Sequence, residues 1–297
     1  MKRSTLANLA GLLGYGIFGF SFLFSKVALD LTTPFILLSI RFIVAFLVLN
    51  LLVLMGKAKL ELKGKPIRLL LLLGLVQPIL YFIFENYGIA MTSASFSGVM
   101  LGLTPVVGLI IGRLFLQESC SLLQAGCAVA SIVGVGLTSA GGGEGNFSLL
   151  GTVLLLGAVV TTTLFTTISR GISKWFSPFE RTYVMFALGS VVFTLIALAE
   201  NRNDMGAILA PMQVPAFWVS VVYLAVVSSV CAFLLINFAM NYVSVGHISI
   251  FSNFTTVISV VGGICIMGDS FSRLQLLGIV VIIVSVFLVS MPKKEAA

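Results

Sequence analysis

Charge is what this chain has least of. Only 9% of its 297 residues are Asp, Glu, Lys or Arg, while 59% are apolar. A soluble domain carries about a quarter charged residues. So few charges cannot coat a water-facing surface of this size, and the membrane class is nearly forced. Histidine is almost missing: His247 stands alone. The four cysteines, Cys120, Cys127, Cys231 and Cys265, form no CxxC pair and no cluster with histidine. They read as small apolar helix residues, not as metal ligands or a dithiol. No HExxH motif is present, which excludes zinc-protease chemistry. No metal or cofactor is expected. Long linkers, tails and low-complexity segments are also missing, so nothing is left over for a soluble domain. The net charge is +7, but the basic residues are not interleaved with aromatics on one face. They fall in short loops between apolar runs, which suits an anionic membrane leaflet and not nucleic acid.

What is present is a series of apolar runs, each near the 20 or so residues that a bilayer core requires. Ten are counted, at 6–29, 34–55, 67–90, 95–116, 121–140, 149–172, 179–199, 215–238, 247–267 and 272–291. Turn signals separate them: Thr32-Thr33-Pro34, the charged loop from Lys57 to Pro66, Gly141-Gly142-Gly143, Ser177-Pro178, and Asn201 to Asp204. The opening MKRS and its apolar run resemble a signal peptide. No A-x-A site follows, and the run continues through Tyr15 to Lys26, so it reads as an uncleaved first helix. With the N-terminus inside, thirteen Lys and Arg face the inner side and three, Lys26, Arg202 and Arg273, face the outer side. The positive-inside rule then puts both termini in the cytoplasm.

A weak internal repeat runs through this pattern. Setting Asn86 against Asn237 aligns Ser93 with Ser244, Thr104 with Thr255, Val106 with Val257 and Gly112 with Gly263. Ser119, Ser121 and Gln124 meet Ser270, Ser272 and Gln275. With Leu123 on Leu274 these are nine identities in 39 ungapped positions, with Glu118 opposite Asp269. The halves are residues 1–143 and 144–297. Five helices in each half is an odd number, so the second half enters the bilayer from the opposite side. The expectation is an all-α membrane protein of ten transmembrane helices, built as two inverted five-helix repeats. Two such packings of nearly equal energy are a physical basis for alternating access.

Three stretches carry a resemblance. They are GIFGFSFLFSKVAL, from Gly16 to Leu29; Pro34 followed by Arg41-Phe42; and YGIAMTSASFSGVMLGLTPVVGLIIGRLFLQES, with Ala90, Thr92, Ser93, Ala94, Pro105 and Glu118. Together they resemble the drug/metabolite transporter superfamily in its EamA branch of ten-helix exporters, across essentially the whole chain. Phe18-Gly19 stands where the family has Trp-Gly, Thr256 stands opposite Pro105, and Asp269 replaces the usual Glu. The resemblance implies a secondary carrier in the bacterial inner membrane that exports small organic metabolites such as amino acids. It also implies a cavity lined by the first, third, fourth, sixth, eighth and ninth helices. The expected partners are a small-molecule substrate and lipid, the chain being a monomer or homodimer.

Ionisable groups at membrane depth are costly and usually functional. Glu85 lies about 7 Å below the outer end of the third helix. Gln77, Tyr81 and Glu85 are spaced by four and share one helix face, with Asn86 beside them and Pro78 placed to kink the helix. This stripe lines a substrate path, Glu85 binding an amine or carrying a proton; alternatively Glu85 reaches outer water or pairs with a structural cation. Arg41, about 10 Å down the second helix, and Lys26 are the candidate cations. They form an outer gate with Glu85, or they snorkel to the interface. His247 is either a proton-coupling group or an interfacial residue in inner water. Asn253 is a cavity candidate, followed by Thr255, Thr256 and Ser259. Tyr15, Phe18, Phe22, Tyr81 and Tyr87 could cage a substrate, and most phenylalanines are expected to face lipid.

The rivals are an intramembrane enzyme, a channel and a non-transporting membrane scaffold. Ser95-Phe96-Ser97-Gly98 resembles a rhomboid serine loop with Ser in place of the first Gly. However, its would-be base, His247, lies across about 30 Å of bilayer. No charge ring or carbonyl filter suggests a channel.

Overall fold

The computed structural model describes residues 3–115, 121–140, 148–243 and 245–290. Within these, the side chains of 3, 4, 112–115, 139, 140, 245–250, 252, 289 and 290 are not described. The described residues form helices and turns, with no strand. We label the main segments α1 (Arg3–Leu29), α2 (Pro34–Leu54), α3 (Ile67–Ala90), α4 (Ala94–Leu101 and Thr104–Phe115) and α5 (Leu122–Ala140). They continue as α6 (Leu149–Ile172), α7 (Pro178–Glu200), α8 (Pro215–Ala239), α9 (Val245–Gly262, continued by Gly263–Met267) and α10 (Arg273–Ser290).

Among the described residues, seven of these are long and apolar enough to cross a bilayer, against the ten runs counted in the sequence. In α5, α9 and α10 the described side chains cover the apolar stretches Leu122–Thr138, Asn253–Met267 and Arg273–Leu288.

The helix starts follow local chemistry. Pro34, Pro178 and Pro215 each occupy a first turn, where a missing N–H costs nothing. Ser93 and Ser148 accept from the backbone N–H three residues on. Ser177 and Glu180 make a full capping box. Two further boxes start α5 and α10. Gln124 N donates to Ser121 Oγ at 3.2 Å and Ser121 N to Gln124 Oε1 at 3.0 Å. Gln275 N donates to Ser272 Oγ at 3.2 Å and Ser272 N to Gln275 Oε1 at 2.8 Å. Paired residues of the sequence repeat thus do the same job in the two halves. A kinked turn interrupts α3 at Leu75–Leu80, where Gln77 leaves helical geometry, and a wide π-type turn interrupts α8 at Tyr223–Ala232. The shift that sets Asn86 on Asn237 carries the first of these turns into the second.

The helices pack in a defined set of neighbours. α2 lies along α7 and α5 along α10; α1 packs on α8 and α9, α3 and α4 pack on α6, and α4 crosses α9. The α4–α9 crossing is very close because Gly98 and Gly102 carry no Cβ. A methyl group at Gly98 would lie 1.6 Å from Ser259 Oγ, and one at Gly102 would lie 2.4 Å from Thr256 Oγ1. Small residues set helix spacing in this way where lipid supplies no hydrophobic drive for association.

The expectation that most phenylalanines face lipid is corrected. Among the described residues only Phe20, Phe254 and Phe287 are exposed, and ten are buried. Phe42 is the hub of an inner cluster, with ring centroids 5.2 Å from Phe82, 5.1 Å from Phe186 and 5.3 Å from Phe193. Lipid is as apolar as the protein core, so hydrophobicity alone cannot sort a phenyl ring inward or outward; ring packing does.

Candidate functional site

The site begins with a break in α3. Gln77 leaves helical geometry at φ −147°, ψ 119°, ahead of a cis peptide bond to Pro78. The four-residue stripe is therefore not on one continuous helix, yet Gln77, Tyr81 and Glu85 all border the same chamber. Tyr15 and Phe18 of α1, Arg41 of α2, Thr104 of α4, Phe165 of α6, Phe233 of α8 and Thr255 of α9 complete its wall. The chamber is narrow, about 40 Å³, which is room for about three water molecules. A small-molecule pocket is usually 300–1,000 Å³ or so, so loading requires the surrounding helices to part.

Its polar groups are almost wholly out of solvent: Arg41 is 1% exposed, Gln77 2%, Glu85 4% and Tyr81 6%. Tyr81 donates its hydroxyl to Glu85 Oε1 at 2.7 Å. Asn86 sits behind the wall and is fully buried. It donates to the Phe82 carbonyl at 3.0 Å and, at 3.4 Å, to Glu85 Oε2. Arg41 donates through Nε to Ser229 Oγ at 2.9 Å and through Nη2 to Ser228 Oγ at 3.4 Å. Its guanidinium also lies over the Phe82 ring, 4.4 Å from the centroid. Buried side-chain atoms without a hydrogen-bond partner include Gln77 Oε1 and Asn86 Oδ1.

The structure thus brings together Tyr15, Phe18, Arg41, Gln77, Tyr81 and Glu85, with Asn86 in contact. It separates the others. Lys26 lies apart from the chamber and pairs with Asp30 one turn on, 3.6 Å away, where the Asp30 side chain is 59% exposed. An outer gate of Lys26 with Glu85 is therefore not formed here. Arg41 and Glu85 share the wall, but the ion pairs among the described residues are Lys26–Asp30 and Lys65–Glu180. Asn253 is half-buried outside the chamber wall, and its neighbour Thr255 borders the chamber instead, donating to the Tyr15 carbonyl at 2.7 Å. Tyr87 stacks edge-on with Phe35, outside the wall. The side chain of His247 lies outside the described residues. Ser97 Oγ donates to the Ser93 carbonyl at 2.8 Å, a local helix bond.

Sequence reasoning missed two things. The first is the Ser228-Ser229 pair that seats Arg41; two adjacent hydroxyls inside an apolar run were the signal. The second is Arg181, one of the thirteen cations counted on the inner side but 0% exposed. Arg181 Nη1 donates to the carbonyl and hydroxyl of Ser169, both at 2.8 Å, and Nη2 donates to the Asn237 carbonyl at 2.8 Å and Asn241 Oδ1 at 2.6 Å. Ser169 in turn donates to Asn237 Oδ1 at 2.8 Å. One side chain thereby ties the ends of α6, α7 and α8. Next to it, Lys65 of the α2–α3 loop grips Glu180 at 2.7 and 2.9 Å.

An all-helical body with several bilayer-length apolar helices around a buried polar chamber defines a multi-pass membrane transporter. Residues 5–140 and 149–291 match the EamA-like transporter family, and the chain belongs to that family, within the drug/metabolite transporters. Among its relatives is the uncharacterized transporter YcxC of Bacillus subtilis (strain 168), 31% identical over 288 residues, covering 96% of this chain and 92% of the relative. The uncharacterized transporter YetK of the same organism is 26% identical, over 94% and 85% of the two chains. An uncharacterized transporter of Archaeoglobus fulgidus is 21% identical, over 91% and 94%. A crystal structure that covers 95% of both chains has a TM-score of 0.66 at 15% identity, a likeness of fold.

Proposed function

We propose that the chain is a secondary carrier of small organic metabolites such as amino acids. It works by alternating access across the bacterial inner membrane, in the export direction, with both termini cytoplasmic and Glu85 as the coupling group. The observation that carries this reading is the chamber itself. It sets buried polar groups among apolar ones, and its wall draws on α1 to α4 of the first half and α6, α8 and α9 of the second.

A two-repeat architecture of ten spans is the matching fold proposal, with halves at 1–143 and 144–297. Four things support it. The family match falls into two stretches. The boxes at Ser121 and Ser272 are copies. α3 and α8 are interrupted at positions that the same shift superposes, by a kink in one and a π-type turn in the other. The packing neighbours are also preserved when α1–α5 and α6–α10 exchange: α1 on α9 becomes α6 on α4, and α3 on α6 becomes α8 on α1. Under this reading α5, α9 and α10 also cross. Arg181 is then the inner-end fastening whose network must open when the chamber faces the cytoplasm.

The test is counterflow into proteoliposomes preloaded with a panel of metabolites. A carrier gives saturable uptake, accelerated by cargo on the opposite side. Linear, unsaturable flux would assign the protein to the channels, and no flux for any cargo would favour a scaffold. In the same assay, Glu85→Gln should lower transport or abolish its pH dependence while expression stays intact. A wild-type rate and pH profile would remove Glu85 from the mechanism.

A further inference from the structure

We propose that the chamber takes an apolar metabolite bearing one carboxylate, and that this carboxylate replaces Glu85 as the counter-charge of Arg41 while Glu85 takes up one proton. The inference deepens the transport reading above and rests on it for the identity of the chamber as the cargo site.

The argument starts from charge balance. Arg41 is 1% exposed and stays protonated under any ordinary condition, so the chamber holds a fixed positive charge. The two serines that hold it are neutral. A buried charge without an opposite charge is expensive, so something must neutralise it. Among the described residues Glu85 is the only acid on the wall; it acts on Arg41 electrostatically, but without direct contact. Its oxygens are held by Tyr81 and Asn86. Arg41 therefore has a balancing charge at a distance and unfilled donors close at hand. A guanidinium in that condition matches a carboxylate, which it can grip through two parallel bonds.

Loading such an anion puts two negative groups against one positive group. The excess is removed when Glu85 accepts a proton from the water on the side to which the chamber is open. The carboxylate becomes a carboxylic acid, and the Tyr81 hydroxyl can turn to accept from it. The other titratable groups facing Glu85 are Tyr15 of α1 and Tyr81 on its own helix; α4, α6, α8 and α9 bring hydroxyls and apolar groups alone. Among the described residues no competing acid or base lies on the wall to absorb the change. Phe18, Phe82, Phe165 and Phe233 then supply an apolar seat for the rest of the cargo. Gln77 Oε1, buried and unpartnered, can accept from any N–H or O–H that the cargo brings.

The test uses purified full-length protein in detergent with 3-phenylpropionate and 3-phenylpropionamide as probes, between about pH 6 and 8, where the free acid remains ionised. Titration calorimetry in two buffers of different ionisation heat reads the protons taken up. The wild type should bind the carboxylate and not the amide. It should take up about one proton per ligand, with affinity rising by up to about tenfold per unit fall in pH. Glu85→Gln should bind the carboxylate with no proton uptake and a flat pH profile, and Arg41→Gln should lose the preference for carboxylate over amide. Equal binding of the amide, no binding of the carboxylate, or binding by the wild type without proton uptake would each overturn the proposal. L-phenylalanine bound without proton uptake would also overturn it, assigning Glu85 to the ammonium group. These readouts do not use flux. Proton-linked binding with no counterflow would sink the transport reading and leave the counter-charge exchange standing.

Discussion

Arg41 and Arg181 are both buried arginines without a carboxylate in contact, yet they are held in opposite ways. Arg181 donates at 2.6–2.8 Å to three carbonyl oxygens and one hydroxyl from α6, α8 and the turn after α8, so the donors of both its Nη atoms are used up. Arg41 has two serines, one of them at 3.4 Å, and an aromatic face. The first arrangement fastens; the second waits for a partner. Arg181→Gln should lower stability by about 2–4 kcal/mol, because Asn241 Oδ1 and two buried carbonyls lose their donor. A shift of the unfolding midpoint in detergent measures this, and an unchanged midpoint would reject the fastening role. Arg41 was legible in the sequence because it interrupts an apolar run. Arg181 was not: it lies three residues after Pro178, where a basic residue ordinarily faces water. Only the placement of Ser169, Asn237 and Asn241 around it reveals its burial.

Among the elements, the α4–α9 crossing shows how glycine acts in this molecule. Gly98→Ala would put a methyl group 1.6 Å from Ser259 Oγ, so the helices must separate. The expected cost is about 1–3 kcal/mol, with transport lost if this crossing moves during the cycle. Gly136 has nothing within 4 Å of its would-be Cβ, so Gly136→Ala should be neutral or slightly stabilising. Comparing both variants by thermal unfolding tests the crossing, and equal effects would count against it. The sequence showed that both glycines sit in apolar helices but not which one touches a neighbour. The caps of α5 and α10 were readable in part: Ser121–Gln124 and Ser272–Gln275 stood out as repeat pairs, and the fold shows them to be capping boxes. The break in α3 was partly readable, through Pro78. That Gln77 stays on the wall despite the break was not.

For the molecule as a whole, the proposed topology gives a direct experiment. With Cys120, Cys127, Cys231 and Cys265 replaced, a single cysteine at position 59 should react with an impermeant maleimide only in inside-out vesicles. One at position 202 should react only in right-side-out vesicles. Labelling of both from one side would end the inverted-repeat proposal, because an odd number of crossings must separate these two loops. The apolar exterior of the bundle meets lipid, and its interior is no more apolar, so hydropathy could count runs but not assign them to inside or outside. For that reason the ring cluster around Phe42 is decided by tertiary packing alone.

Composition and periodicity alone determined that the chain is helical and lives in a membrane. Too few charges exist to face water, and apolar runs near bilayer length leave little else to build. The sequence also marked Gln77, Tyr81, Glu85 and Arg41, since a polar group inside such a run is conspicuous by itself. Tertiary packing alone decided that these four share a wall, that Lys26 and Asn253 lie off it, and that Arg181 is sealed in. Those facts depend on which helices touch and at what rotation. Contacts between residues that lie from a dozen to nearly two hundred positions apart leave no trace in local spacing.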